Sequence, residues 1–401
     1  MKTLLVISQV YAPDPAAVGQ HMADLAEEMA RRGWRVVVYT SARGYDDPSV
    51  IYPRRERCRG VDVRRLPLSS FGKRSIAIRL LAQACFMLQA VVRGLFTRGL
   101  AAVLVSTSPP FAGPGGTMIS RLRRVPLTWW VMDLNPDQMI AAGKITPDSL
   151  SARVFNWMNR LTLRRASAVI ALDRFMKDRL VAKLPVAEKI HVVPPWSPDD
   201  DMTADPVRVS EFRERHGLSG RFVVMYSGNH AIQHPLATLL AAAKALETDT
   251  RIMFVFIGGG AGKREVEARI EAGASNILSL PYQTLAMLPH SLAAADLHVV
   301  SMGDDMVGII HPCKIYGALA AGRPILFFGP SRSHVGEILS GADVGWSVGH
   351  DDVQGAVAAI RAAATLDSEA IATLGKRAKA LGDGDYARRP LLEGCGDILS
   401  G

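Results

Sequence analysis

A lysine and a histidine flank the predicted start of a helix in HPCKIYGALAAGRPILFFGP, residues 311–330. An apolar strand over 296–302 and a glycine-containing loop precede this helix, Pro312 lies in its first turn, and a second strand follows over 324–328. A helix start at the carboxyl edge of parallel strands presents unpaired N–H groups and a positive dipole end. Because a cation in the first turn is unfavourable for the helix itself, Lys314 predicts an external phosphate or diphosphate. The alternative is a lysine that points into solvent.

Three polar side chains follow the apolar strand in PLTWWVMDLNPDQMI, namely Asp133, Asn135 and Asp137. Carboxylates at the carboxyl end of a strand can position a hydroxyl group or act as its base. A turn that caps the next helix explains the same residues without chemistry.

A glycine run, Gly258 to Gly260, and Lys263 follow another apolar strand and form a second candidate phosphate cradle, although such a run can also serve only the turn. The aspartates at 199–201 are interpreted as solvated charge on a linker. The four cysteines show no ligand spacing, which predicts a reducing compartment and no structural metal.

Positive charge is concentrated in the first half of the chain. Residues 1–200 contain 29 Lys and Arg against 16 Asp and Glu, whereas the rest contains 18 against 22. No aromatic base-stacking set accompanies the basic residues, so a nucleic-acid partner is not predicted. An anionic membrane surface or a lipid diphosphate fits better.

The long apolar segment over 76–97 is flanked by Lys73, Arg74, Arg93 and Arg98. It is too interrupted for a membrane span and too apolar for an ordinary surface helix. Two interpretations stay open, an interfacial helix on anionic lipid and a helix buried in the N-terminal domain. The opening MKTLLVISQVYAP is expected to be a buried strand and a turn rather than a signal peptide.

The segment 311–330 resembles the signature of family 4 glycosyltransferases, which are retaining enzymes with two Rossmann-like domains (the GT-B architecture). The matching residues are Pro312, Lys314, Ile315, Tyr316, Ala320, Ala321, Gly322, Arg323 and Pro324. The loop at 133–137 is similar to that of members which build bacterial surface polysaccharide, and keeps Asp133, Leu134 and Pro136 with Asp137 in place of a glutamate.

Two glutamates of the family pattern are absent. Gly317 occupies the position of the one that usually holds the ribose hydroxyls, and a second is missing near Val307 or Gly308. His230 and His234 stand where basic side chains are usual, and a neutral histidine gives less charge at pH 7.

The resemblance implies an α/β fold of the GT-B type, with two facing Rossmann-like domains, parallel sheets and a cleft between them. The implied division is an acceptor-side domain over 1–195, a linker over 196–206, a nucleotide-sugar domain over 207–375 and a C-terminal helix over 376–401 that crosses back. The chain is long enough for two domains of ordinary size.

The resemblance also assigns roles to residues. Catalysis falls to Asp133 and Lys314, and acceptor binding to Asn135 and Asp137. The implied donor-binding residues are Gly19, Gly228, Asn229, His234, Gly259, Lys263, Tyr282, Gln283, Gly308, Ile309, Ile310, His311 and Glu337.

The implied function is retaining transfer of a sugar from a nucleotide sugar to a saccharide acceptor linked to polyprenyl diphosphate, without metal or cofactor. The protein is expected in the cytoplasm, peripheral on the inner face of the cytoplasmic membrane. A catalytically weak binding or scaffold subunit of a polysaccharide-assembly complex is one alternative, because the two glutamates are missing. A sugar-nucleotide epimerase or a phosphorylase on the same architecture is another.

Overall fold

The computed structural model describes residues 1–14, 16–44, 48–69, 76–196 and 203–401. The chain divides into two compact units, Met1–Pro198 with Gly308–His311 and Arg389–Gly401, and Asp199–Val307 with Pro312–Arg388. Most of the predicted linker at 196–206 lies outside the described residues, so that linker stays a prediction.

The first unit is built on an eight-stranded sheet with the strand order β3-β4-β2-β1-β5-β6-β7-β8. Its strands are β1 (Thr3–Ile7), β2 (Arg35–Ser41), β3 (Arg55–Cys58), β4 (Val61–Leu66), β5 (Leu100–Ser106), β6 (Leu127–Trp130), β7 (Ala168–Ala171) and β8 (Ile190–Val192). Neighbouring strands are parallel except for β3, which is antiparallel to β4. Every residue of β1 is buried, as an apolar strand between two helical layers requires.

Six helices connect these strands. They are α1 (Ala17–Arg31), α2 (Ile76–Leu95), α3 (Ala112–Arg123), α4 (Asp137–Ala141), α5 (Leu150–Arg165) and α6 (Arg174–Lys183). The chain order reverses between β1 and β5, so the loops after these two strands lie at the point where doubly wound folds bind ligands.

The segment FAGPGGT has the glycine and proline content of a loop, but α3 already begins at Ala112. A Cβ on Gly113, Gly115 or Gly116 would lie less than 3.0 Å from side-chain atoms of Thr162, Met87 and Val105, respectively. The three glycines therefore let α3 pack closely against α5, α2 and β5. This tertiary contact outweighs the low helix propensity of glycine.

The second unit has a six-stranded parallel sheet with the order β11-β10-β9-β12-β13-β14. Its strands are β9 (Phe222–Ser227), β10 (Ile252–Ile257), β11 (Ile277–Leu280), β12 (Leu297–Ser301), β13 (Ile325–Phe328) and β14 (Gly345–Val348). The chain order reverses between β9 and β12. The crevice outside their carboxyl ends is thus the expected ligand position of this unit.

The helices of the second unit cover both faces of the sheet. They are α7 (Pro206–Arg215), α8 (Ala237–Ala245), α9 (Lys263–Glu271), α10 (Leu288–Ala293), α11 (Lys314–Ala320), α12 (His334–Ala342), α13 (Val353–Thr365) and α14 (Ser368–Asp383). One buried cluster joins Val224 of β9 to α8 and α13, and another joins Val223 of the same strand to α7. Neighbouring residues of one strand thereby serve opposite faces of the core.

The predicted single helix over 376–401 is wrong. The chain forms α14, then a break at Gly384, and a last helix α15 (Arg388–Ser400). The glycines at 382 and 384 in LGDGDY account for the break. Residues 389–401 group with the first unit, where Arg32 of α1 bonds Asp397 and Glu393 O of α15.

Candidate functional site

Lys314 is the first residue of α11, at the β9/β12 reversal of the second unit. Pro312 was predicted inside this helix but precedes it by two residues. The lysine stem runs under the loop after β9, where a Cβ on Gly228 would meet Lys314 Cε at 2.8 Å, and Gly228 has a φ of +134°. This backbone conformation favours glycine at position 228, and a side chain there would also displace the lysine stem.

The Lys314 ammonium lies 5.2 Å from the centroid of the Tyr226 ring, a cation–π contact. Burial lowers the pKa of Lys314 to about 8, so the side chain is still mostly charged at pH 7. Among the residues with described coordinates, no carboxylate forms an ion pair with it. The site thus presents a desolvated cation that suits an anion from outside.

His234 is neutral at pH 7, because burial and the nearby Lys314 charge lower its pKa to about 3. Its Nδ1 lies 2.7 Å from Ser301 O at the end of β12. A carbonyl can only accept a hydrogen bond, so Nδ1 carries the one proton and Nε2 is left as an acceptor. His234 consequently cannot donate a hydrogen bond to a phosphate through Nε2.

His230 is also neutral, since burial lowers its pKa to about 4. It is fully buried with its ring edge-on to Tyr226, and its backbone bonds Gly259 O and Gly262 N at 2.7 Å each. His230 therefore ties the loop after β9 to the loop after β10, and it adds no charge.

The glycine run and Lys263 hold these same loops together. A Cβ on Gly258 or Gly260 would collide with Gly228 O or Asn229 Oδ1, and the Lys263 ammonium donates to Gly258 O at 2.9 Å and Leu280 O at 3.2 Å. Two of the three Lys263 ammonium protons already bond the ends of β10 and β11, and the phosphate role of Lys263 stays a prediction. Asn229 and Gly259 lie within the same loop contact.

Lys263→Met is expected to lower the free energy of unfolding by about 1.5–3 kcal/mol, because two carbonyls lose a charged donor. The affinity for a nucleotide sugar, compared at a temperature where both proteins are folded, is expected to change less than threefold. Urea unfolding and equilibrium binding test this pair of results. A large loss of affinity with unchanged stability would return Lys263 to the phosphate site.

Three further predicted donor residues belong to the second unit. Tyr282 is 44% exposed and its ring lies 3.2 Å from the place of a Cβ on Gly259. The exposed Gln283 amide donates to Pro281 O, so it is engaged by its own turn. Glu337 lies in the first turn of α12, whose N-terminus is capped by Ser333. Of the three, Tyr282 offers the best-placed surface for a base.

Residues 308–311 were predicted to bind the donor but group with the first unit. His311 Nδ1 lies 2.8 Å from Asp173 Oδ2 in a buried pair, and Ile309 O accepts a bond from Leu134 N. Ile309 and Ile310 are buried, and Gly308 (φ +69°) lies against the Phe175 carbonyl. Packing and internal bonds thus account for these residues without a donor.

Asp133 follows β6 on a loop held by Thr107, whose hydroxyl accepts the backbone N–H groups of Met132 and Asp133 at 3.1 Å each. The residue as a whole is partly exposed, and burial of its carboxyl group raises the pKa to about 6. No hydrogen bond or ion pair of this carboxyl occurs within the described ranges. Asp133 therefore remains available to a substrate hydroxyl.

The other two predicted acceptor residues are engaged. Asp137 pairs with Lys183 at 2.6 Å, and Lys183 also donates to Asn156 Oδ1. The backbone carbonyl of Asn135 accepts from the Asn159 side chain at 2.6 Å. Asp137 is thus a structural carboxylate, and no local sequence pattern indicates its partner Lys183, which lies on a different helix.

Gly19, which was predicted to bind the donor, lies in the first turn of α1. A Cβ there would meet the Tyr11 backbone at 3.0 Å, so glycine lets the helix start approach the loop after β1. The residues missed from the sequence, Thr107, Tyr226 and Ser301, each end or follow a strand at one of the two order reversals. That topology was the signal for finding them.

Comparison with known proteins matches residues 16–196 to the family described as Glycosyl transferase 4-like domain. The chain is 22% identical to the probable glycosyltransferase WbjE of Pseudomonas aeruginosa, over 88% of this chain and 87% of that protein. It is 24% identical to the putative colanic acid biosynthesis glycosyl transferase WcaI of Escherichia coli, over 90% and 92%.

Among solved structures, Anabaena Alr3699/HepE in complex with UDP-glucose superimposes with a TM-score of 0.75 at 16% identity, and both chains are fully covered. These findings confirm the predicted GT-B fold and the predicted kinship with bacterial surface-polysaccharide glycosyltransferases.

Proposed function

Because residues 16–196 form a glycosyl transferase 4-like domain in a chain with the GT-B fold, we propose that this protein is a retaining enzyme that transfers a sugar from a nucleoside-diphosphate sugar to a saccharide. The observation that carries the proposal is Lys314, a half-buried cation at the β9/β12 reversal with no carboxylate partner in the described part of the chain. A diphosphate fits such a group. The UDP-glucose complex of the similar Anabaena protein supports a nucleotide sugar.

The proposed reaction uses no metal. The bond from the anomeric carbon to the diphosphate oxygen breaks, the acceptor oxygen bonds that carbon on the same face, and the acceptor proton passes to the leaving diphosphate. Lys314 stabilises the charge that develops on the diphosphate. Asp133 orients the acceptor hydroxyl.

The proposed acceptor is a saccharide linked to polyprenyl diphosphate at the inner face of the cytoplasmic membrane. The excess of basic residues in the first half and the apolar helix α2 support it. So does the name of WcaI, which places that relative in colanic acid biosynthesis. Cell-surface polysaccharide assembly is thus the proposed context.

A catalytically weak binding subunit is the second candidate function. The absence of the glutamate at Gly317 favours it, as do two histidines whose neutral state adds no charge for a diphosphate.

A panel of nucleoside-diphosphate sugars, tested without added metal, separates the two candidates. We expect one donor to raise the melting temperature and to release diphosphate slowly, and Lys314→Ala to lose both effects. Lys244→Ala, an exposed lysine on α8, is the matched control and should behave as wild type. Donor binding without any transfer to lipid-linked saccharides would favour the binding subunit, and no binding at all would reject both. The anomeric configuration of the product, read by NMR, tests retention.

A further inference from the structure

Helices α2, α3 and α5 pack side by side on one face of the first sheet. The central helix, α3, contacts both neighbours, because its Gly113 faces Thr162 of α5 and its Gly115 faces Met87 of α2. Arg165 of α5 also donates to Ser120 O and Val125 O at the end of α3. We call the solvent side of these three helices the three-helix face.

Large apolar side chains are exposed along the three-helix face. On α2 they recur at helical spacing, and each of the three helices carries a strongly exposed one, with Leu88 at 66% on α2, Leu122 at 61% on α3 and Trp157 at 59% on α5. The exposed apolar side chains of this face include Leu81, Leu88 and Val92 of α2, Leu122 of α3, and Val154 and Trp157 of α5. Large apolar side chains exposed on three adjacent helices indicate an interaction site.

The charge on the same face has one sign. The sequence contains no Asp or Glu over 63–132 or over 149–172. The exposed arginines of the three helices are Arg79, Arg93, Arg121, Arg153, Arg160 and Arg164, and within the described residues none of them forms an ion pair. On α5, Arg153, Arg160 and Arg164 lie at helical spacing from Trp157, so apolar and positively charged side chains share the exposed side of this helix.

We propose that the three-helix face docks on an anionic lipid bilayer, with its apolar side chains at the headgroup boundary and its arginines on lipid phosphates. Anionic bilayers offer a negatively charged surface over an apolar layer, which complements both features at once. This inference rests on the proposed function in one respect, because the proposed lipid-linked acceptor is what brings the first unit to a membrane. It names α3 and α5 as part of the contact, beyond the apolar segment of α2.

The docking is interfacial. Ile78–Leu95 is long and apolar enough to cross a bilayer, the one such helix in the described part of the chain. However, a third of that stretch is buried, and Phe86 and Ala90 are fully enclosed in the first unit. A spanning α2 would have to leave the core, whereas a helix lying flat keeps these contacts.

Sedimentation with vesicles tests the proposal without any nucleotide sugar or acceptor. The wild-type protein should bind vesicles of phosphatidylcholine with about one third phosphatidylglycerol and bind pure phosphatidylcholine vesicles at least tenfold more weakly. The triple change of Arg153, Arg160 and Arg164 to Gln on α5 should weaken binding about a hundredfold, from about fivefold per arginine.

The matched control is the triple change of Arg215, Arg264 and Arg361 to Gln, which removes equal charge from exposed positions of the second unit. It should bind like the wild type. An equal loss of vesicle affinity in the two triple variants would show that net charge alone attracts the protein, and this result would overturn the proposal. A wild-type protein that does not bind anionic vesicles would also overturn it. A protein partner instead of a membrane would give the latter result.

The fluorescence of Trp157 provides a second measurement, which does not depend on whether the arginine variants fold. Its fluorescence should shift to shorter wavelength on anionic vesicles and be quenched by brominated lipid, and Trp157→Phe should lose both signals. An unshifted spectrum in vesicle-bound protein would overturn the proposed orientation. Sugar transfer to a water-soluble acceptor analogue is measured separately. Failure of the enzyme proposal would abolish this transfer, whereas failure of the membrane proposal would abolish only the binding to vesicles.

Discussion

Replacing Lys314 by methionine is expected to lower kcat/KM for the donor by about 10²–10³-fold, the effect of removing one preorganised donor to a developing negative charge. Methionine keeps the stem that passes under Gly228 and packs on Tyr226, so the fold should persist. Both kcat and donor affinity should fall, because the ammonium meets the diphosphate before and during its departure.

The pH dependence of kcat/KM provides a further test of the role of the Lys314 ammonium. The Lys314 pKa of about 8 means that the free enzyme loses the cation as the pH rises through that value, so kcat/KM should fall above pH 8. Lys314→Arg keeps its charge at every pH of the assay and should remove this alkaline decline, even if its activity is lower. Stopped initial-rate assays from pH 6 to pH 10 measure both profiles. An unchanged decline in the arginine variant would assign it to another group.

Sequence patterns located the parallel sheets well because buried strands such as LLVIS are continuous apolar runs. The same patterns misassigned some glycine positions, because glycine occurs both in loops and where a helix packs closely against another element. Glycine at positions 19 and 113 is typical of a loop, yet each of these residues lies in the first turn of a helix that approaches another element closely. Only the packed neighbour distinguishes these cases, and neighbours distant in sequence are invisible to a local pattern.

The same limit applies to the candidate site, where contacts between residues distant in sequence decide the role of a side chain. The sequence indicates Lys314 as a candidate because its position at a helix start conflicts with the helix dipole. Lys263 looked equivalent, but its acceptor Leu280 O lies on β11, which no local pattern relates to the glycine loop. The helix α7 was also missed, although Asp205 and Pro206 supply an N-cap and a first-turn proline. Its start was read as linker because the preceding residues are rich in aspartate and proline.

Asp133→Asn is expected to make the protein more stable and less active. Burial raises the Asp133 pKa from 3.8 to about 6, so the folded protein binds a proton more readily than the unfolded chain. Stability therefore falls as the pH rises from about 4 to about 6 and stays reduced above that range. The neutral asparagine avoids this cost, which we place at about 2–3 kcal/mol at pH 8. Urea unfolding should show the gain at pH 8 and little difference at pH 4.

Activity should change in the opposite direction. A carboxylate that orients the acceptor hydroxyl contributes about 10²-fold or more, so kcat should fall by that factor while donor affinity stays unchanged. Asp137→Asn, at the start of the following helix α4, is the matched control: it breaks the ion pair with Lys183 and should lower stability by about 1–3 kcal/mol. The opposite stability changes of two equivalent substitutions would separate a carboxylate held available for substrate from one that holds the fold. Full activity in Asp133→Asn would remove Asp133 from the reaction and leave the leaving diphosphate as the group that receives the acceptor proton.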